Sequence, residues 1–225
     1  MLNIKRIRVI PMQPTRALPP NYQFCYALSP GKNWVPQILL VLLALGVFSV
    51  GWQVVYRAFP LHFLFPSSGI PLIDRWGILL AAGTMIVLHE NIHALVIWRS
   101  SGSWPAYGIT PLGFYVNAEG WYFSRRTMIA ISAAPLVSLT VLGVLMLLIL
   151  PPTLASLPLW LMLVNAAGSV NDAAVAAWVF FQPDSAVIHN NGRSMEVYRT
   201  EKEDCGPSGT RERIRMLLEK AFVKP

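Results

Sequence analysis

Residues 85–98 read "MIVLHENIHALVIW". The stretch is apolar at almost every position, yet His89, Glu90 and His93 fall within five residues. An isolated ionisable group at the centre of a bilayer costs at least ~2.5–3.5 kcal/mol, so such groups mark function when a span contains them. Their spacing is H-E-x-x-H. On a helix, positions i and i+4 share a face, and two imidazoles so placed reach one metal ion. Glu90 lies one step round, close enough to a water beside that ion to serve as general base. At this chain's His and Glu content the pattern arises by chance only ~0.002 times per sequence. A shared cation accounts for the set, where each residue alone would be unfavourable.

The chain around this stretch is built for an apolar solvent. Hydrophobic residues make up 54 % of its 225 residues and charged ones 13 %, against roughly 25 % charged in soluble domains. Five basic and four acidic residues lie between Gln37 and Gln182; all other charges lie in the two ends. Four segments, 36–59, 76–98, 127–150 and 157–181, approach the ~20 apolar residues that a crossing needs. The pattern predicts an all-α integral membrane protein of about four transmembrane helices. It divides into an N-terminal segment (1–35), a transmembrane domain (36–182) and a tail (183–225).

The net charge of +7 does not point to nucleic acid. Lys5, Arg6, Arg8, Arg16 and Lys32 precede the first span with no acidic residue among them. Such a cluster holds its flank in the cytoplasm and meets anionic lipid. Arg99, Arg125 and Arg126 border the loop between spans two and three, and Arg193, Arg199 and Lys202 follow span four. The expected location is the cell membrane, with both termini and the middle loop cytoplasmic. Cys25 and Cys205 lie in the two polar ends and are expected to be reduced thiols there. The basic start runs into "PMQPTRALPP" without the apolar core of a signal peptide.

Two polar stretches carry turn and strand signals. Within 100–126, "GFYVNAEGWYF" reads as short strands, with an aromatic belt at the membrane surface as the alternative. In the tail, "SAVIHNNGRSMEVYR" places Asn191-Gly192 between two alternating runs, the signature of a hairpin. "TRERIRMLLEKAF" (210–222) gives an amphipathic helix that docks on the protein or on lipid.

Two histidines leave a catalytic zinc one protein ligand short. His62 falls in an external loop and His189 in the turn-rich tail, which makes both ordinary surface histidines. In span four, Asn165, Gly168, Ser169, Asp172 and Ala176 form one small, polar stripe at helical spacing. Asp172 is the only acid of that span and the leading third ligand, ahead of Asn165, Asn171 and Glu119. His89 lies ten residues before Arg99, and Asp172 ten before Gln182. Spans two and four run the same way, so at 1.5 Å per residue both groups lie at similar depth. Pro135 kinks span three and frees a backbone carbonyl, making room for water or substrate or simply bending the helix.

On "HENIHALVIW", "SRRTMIAISAAPLVSLTVLG", "NAAGSVNDAAVAAW" and "QPDSAVIHNNGRSMEVYR", the chain resembles the "putative zincin peptidase" membrane family. It is similar, more distantly, to intramembrane metalloproteases of the site-2 type. The resemblance implies zinc held by His89, His93 and Asp172, with Glu90 as catalytic base. Asn165 would steady the substrate carbonyl or oxyanion, with Ser169 a second candidate. The strands after the H-E-x-x-H helix would receive an unwound substrate segment, here at Phe114, Tyr115, Val116 and Asn117. Gly168 and Ala173 depart from the site-2 pattern. The implied activity is hydrolysis of a peptide bond in a membrane-embedded protein or peptide. The other readings are a non-proteolytic metal-binding adaptor or sensor, and a small ion transporter.

Overall fold

The computed structural model describes residues 14–28, 34–59, 70–110, 113–191, 194–200 and Cys205. The basic residues before Pro14, Lys32, His62, Gly192 of the tail turn and the 210–222 helix lie outside them.

The expected spans are helices. α1 covers Trp34–Ala58, α2 Pro71–Ser101 and α3 Arg125–Ile149. These three are long and apolar enough to cross a membrane. Span four is broken instead of continuous: α4 (Ser156–Gly168) and α5 (Val170–Phe180) meet at Ser169 with a bend of 47°. Taken as one bent crossing, they bring the number to four.

Local chemistry sets the ends. Pro71 opens α2, where a missing N–H leaves no bond unmade. Gly102 closes it at φ +72°, donating its N–H to Trp98 O at 2.8 Å. Ser124 caps α3 by accepting from the Thr127 N–H at 3.3 Å.

α2, α3 and α4 pack on one another, α5 leans on α3, and α1 lies outermost against α4. Phe48 and Trp52 of α1 stack on Trp160 of α4. Gly51 permits that approach, because a Cβ there would stand 2.6 Å from Leu163 Cδ1. The outward faces of α1 and α3 are exposed leucine, valine and isoleucine, a surface that water does not favour.

The β part is larger than the sequence pattern suggests. β1 (Tyr22–Leu28), β4 (Tyr122–Ser124), β5 (Val187–Asn190) and β6 (Met195–Thr200) form one antiparallel sheet in the order β1-β6-β5-β4. β2 (Ala106–Thr110) and β3 (Gly113–Asn117) form a separate hairpin. Both expected strand regions are thus present, and β1 and β2 are additional. The large sheet draws strands from before α1, from between α2 and α3, and from after α5. These three segments therefore share one end of the helical bundle. Phe123, Ile188 and Val197 of the sheet pack with Met128, Ile131, Trp178 and Val179 of the helices in one apolar core.

Arg125 is buried at this end, ion-paired with Asp184 and lying over the Phe180 ring. The expectation of two free thiols is corrected. Cys25 and Cys205 form a disulfide. Cys25 sits where the β1–β6 register slips, between Phe24 and Tyr26, and the pairing of β1 with β6 brings the two chain ends within reach.

Candidate metal centre

The 4-residue offset within α2 stacks His89 above His93, their ring centroids 4.9 Å apart. Both side chains face inward and are only 10 % and 12 % exposed. Asp172 arrives from α5. The break at Ser169 puts it in the first turn of that helix, at the positive end of its dipole. Asp172 Oδ2 lies 2.9 Å from His89 Nε2 and 3.4 Å from His93 Nε2. One ligand atom from each residue falls within 4.8 Å of the others, the one such group among the described residues.

The rear nitrogens of the two rings are held as well. His89 Nδ1 stands 3.2 Å from Asn165 Oδ1, and His93 Nδ1 stands 2.9 Å from Ile131 O. The Ile131 carbonyl is available because the residue four further on is Pro135, which has no N–H to give it. Asn165 is fully buried and donates from Nδ2 to Pro135 O at 3.3 Å and Leu136 O at 3.4 Å. Those two carbonyls turn its Oδ1 towards His89. Both rear partners accept, so each Nδ1 carries the proton and each Nε2 presents a lone pair to Asp172.

This arrangement fits a metal. Two imidazole nitrogens and a carboxylate oxygen converge within 4.8 Å, and a cation at their focus satisfies all three at once. Two histidines and one carboxylate, with tautomers set from behind by carbonyl oxygens, are a donor set for zinc with its outer support in place.

A cavity of ≈ 490 Å³ opens in front of the three ligand atoms. Glu90 lines it, half-buried and without a hydrogen-bond or ion-pair partner among the described residues. Its other walls are mostly apolar, with Met85, Met128, Tyr115, Val116 and Met195 beside the polar Ser132, Asn171 and Asn190. Met195 and Asn190 come from the end of the β5–β6 hairpin. Nothing in their local sequence marks them, since the tail reaches this cavity only through the sheet.

The remaining candidates divide. Tyr115 and Val116 of β3 line the cavity. Tyr115 lies across Gly108 of β2, where any Cβ would collide with its ring. Phe114 belongs to the same strand. Asn117 is 6 % exposed, and its Oδ1 has no protein donor among the described residues. It is not among the lining residues, nor is Ser169, which is buried behind the site and donates to Asn165 Oδ1 at 3.4 Å. Asn171 lines the cavity beside Asp172. Glu119 is exposed in the turn before β4. His189 lies in β5 with its Nδ1 3.0 Å from Trp121 O.

An H-E-x-x-H helix faced by a distant carboxylate inside an apolar bundle gives three side chains that could hold one metal ion. In agreement, the family model described as "Putative zincin peptidase" matches residues 83–187. The matched stretch contains His89, His93 and Asp172 and also Glu90, Pro135 and Asn165. It supports zinc as the metal and a zinc-dependent protease as the class. No curated protein matches the chain, and no solved structure does.

Proposed function

We propose that this chain is a zinc-dependent intramembrane endopeptidase, similar in plan to the site-2 type. The observation that carries this reading is the meeting of Asp172 with His89 and His93 beside an unpartnered Glu90. The apolar outer faces of the helices support a multi-pass membrane location. The basic flanks favour a cytoplasmic sheet end. The Cys25–Cys205 bond is the observation against that orientation, because disulfides persist in oxidising compartments.

His89, His93 and Asp172 would hold the zinc. The metal supplies Lewis acidity, lowering the pKa of water towards 7 and polarising a carbonyl. Glu90 takes the proton of the attacking water and delivers it to the departing amine. Asn165 is assigned to holding the His89 ring, because both ends of its amide are already bonded within the protein. An extended substrate segment fits along β3, at the level of Tyr115 and Val116, where main-chain pairing exposes its backbone to the site. The apolar cavity walls suit a substrate drawn from a membrane span.

Glu90→Gln tests the reading. The variant is expected to keep about one zinc per chain and to lose turnover. In cells, comparison of membrane proteomes with the parent is expected to reveal an uncut client. A client processed normally by the variant overturns the assignment. An adaptor or sensor would tolerate the change, and a transporter would retain flux that chelators do not stop.

A further inference from the structure

A second cavity, also ≈ 490 Å³, shares no residue with the metal centre. It lies between the C-terminal end of α2 and the N-terminal end of α3. Leu95, Val96 and Ala130 give it an apolar wall, and Arg99, Arg126 and Thr127 stand at its polar end. Both arginines are exposed, and neither has an ion-pair or hydrogen-bond partner among the described residues. The contrast with the neighbouring Arg125, which is buried on Asp184, is sharp: adjacent residues point to opposite tasks.

The surroundings say what these two charges meet. Trp98 and Trp104 are 44 % and 59 % exposed at the same end of α2, ring centroids 6.2 Å apart. Exposed tryptophans at a span end sit at the headgroup level of a bilayer. Leu95, on the bundle side of Arg99, is 52 % exposed and continues the apolar surface away from that level. A groove with guanidinium groups at headgroup height and an apolar wall below has the polarity profile of one phospholipid.

We infer that this groove binds an anionic phospholipid, its phosphate between Arg99 and Arg126 and an acyl chain along Leu95, Val96 and Ala130. Guanidinium groups recognise phosphate oxygens in a forked geometry. A headgroup carrying its own cation would bring that charge towards the arginines, so phosphatidylglycerol is favoured over phosphatidylcholine. The inference rests on the membrane reading of α2 and α3.

The test uses the full-length protein in detergent micelles. Native mass spectrometry follows titration with phosphatidylglycerol, phosphatidylcholine or inorganic phosphate, for the parent and for Arg99→Gln/Arg126→Gln. One phosphatidylglycerol is expected to stay on each parent chain. Each basic residue at an anionic surface contributes roughly fivefold, so the double variant should bind it about 25-fold more weakly. Zinc content should not change, which reports that the variant is folded. Equal retention by parent and variant, equal retention of phosphatidylcholine, or displacement of lipid by inorganic phosphate overturns the inference. Release of the parent from membranes by alkaline carbonate would instead remove the membrane reading itself.

Discussion

Replacing Pro135 by alanine should separate helix stability from metal affinity. A proline inside a helix costs ~3 kcal/mol through its missing N–H and its clash with the carbonyl four residues back. Pro135 is also fully buried, and exchanging its ring for a methyl removes roughly two methylenes, or about 1.6 kcal/mol. The metal-free variant is therefore expected to be about 1 kcal/mol more stable than the parent. Its new N–H would point at Ile131 O, the acceptor 2.9 Å from His93 Nδ1. Losing an outer partner of a ligating histidine lowers metal affinity about 10- to 100-fold. The carbonyl has two lone pairs and is shared, not lost, so the low end applies, about tenfold or ~1.4 kcal/mol. Chelator competition gives the zinc Kd, and thermal unfolding in detergent with excess chelator gives the apo-protein's stability. The two are expected to move in opposite senses. Zinc affinity within about twofold of the parent, in a variant whose apo-form is stabilised, would refute the role given to Pro135.

Asp172→Ala removes the carboxylate that joins α5 to the two imidazoles, and zinc affinity should fall by more than roughly 100-fold, beyond the range for outer-shell losses; normal zinc content would hand the third position to Asn171. Gly108→Val must push Tyr115 off β2, at a cost of about 1–3 kcal/mol for overpacking. It should leave zinc content unchanged while slowing cleavage of an extended peptide, and unimpaired cleavage would detach β3 from substrate binding. If the sheet end is cytoplasmic, a membrane-impermeant maleimide applied to intact, reduced cells leaves Cys25 and Cys205 unlabelled until permeabilisation. Labelling of intact cells would reverse the orientation and put the disulfide in an oxidising compartment.

The parts of this molecule that were legible in the sequence share one property: their signal is local. His89 and His93 announce a shared face through a four-residue offset, and the tail hairpin announces itself through alternation and an Asn-Gly turn signal. Asp172 could be placed by counting, since depth along a straight helix is linear in residue number. The β1 strand was not legible, because "YQFCYAL" acquires its partner only when Tyr22 meets Thr200 across the whole chain. The same long-range pairing creates the Cys25–Cys205 bond, which two lone cysteines 180 residues apart do not suggest. Asn165 is hard to read for a related reason. Its type and spacing suggest a group for the substrate, and only the fold shows its amide between His89 and the carbonyls of Pro135 and Leu136.

Pro135 and the break at Ser169 are both helix irregularities, and both shape the candidate metal centre. Regular helices would bond the Ile131 carbonyl to the fourth residue onward and would carry α4 straight into α5. Neither would leave His93 an exclusive acceptor or set Asp172 in a first helical turn. The apolar side chains around the two rings offer no acceptor, so the rear nitrogens are held by the Asn165 amide and by a carbonyl that a helix releases. The backbone is released at Pro135, where Ile131 O serves His93, whereas the turn at Ser169 delivers the Asp172 side chain to His89. A proline or a helix break placed elsewhere in these spans would expose polar backbone to lipid without a partner. Position along the span, not the mere presence of a breaker, is what separates a site-building irregularity from a defect.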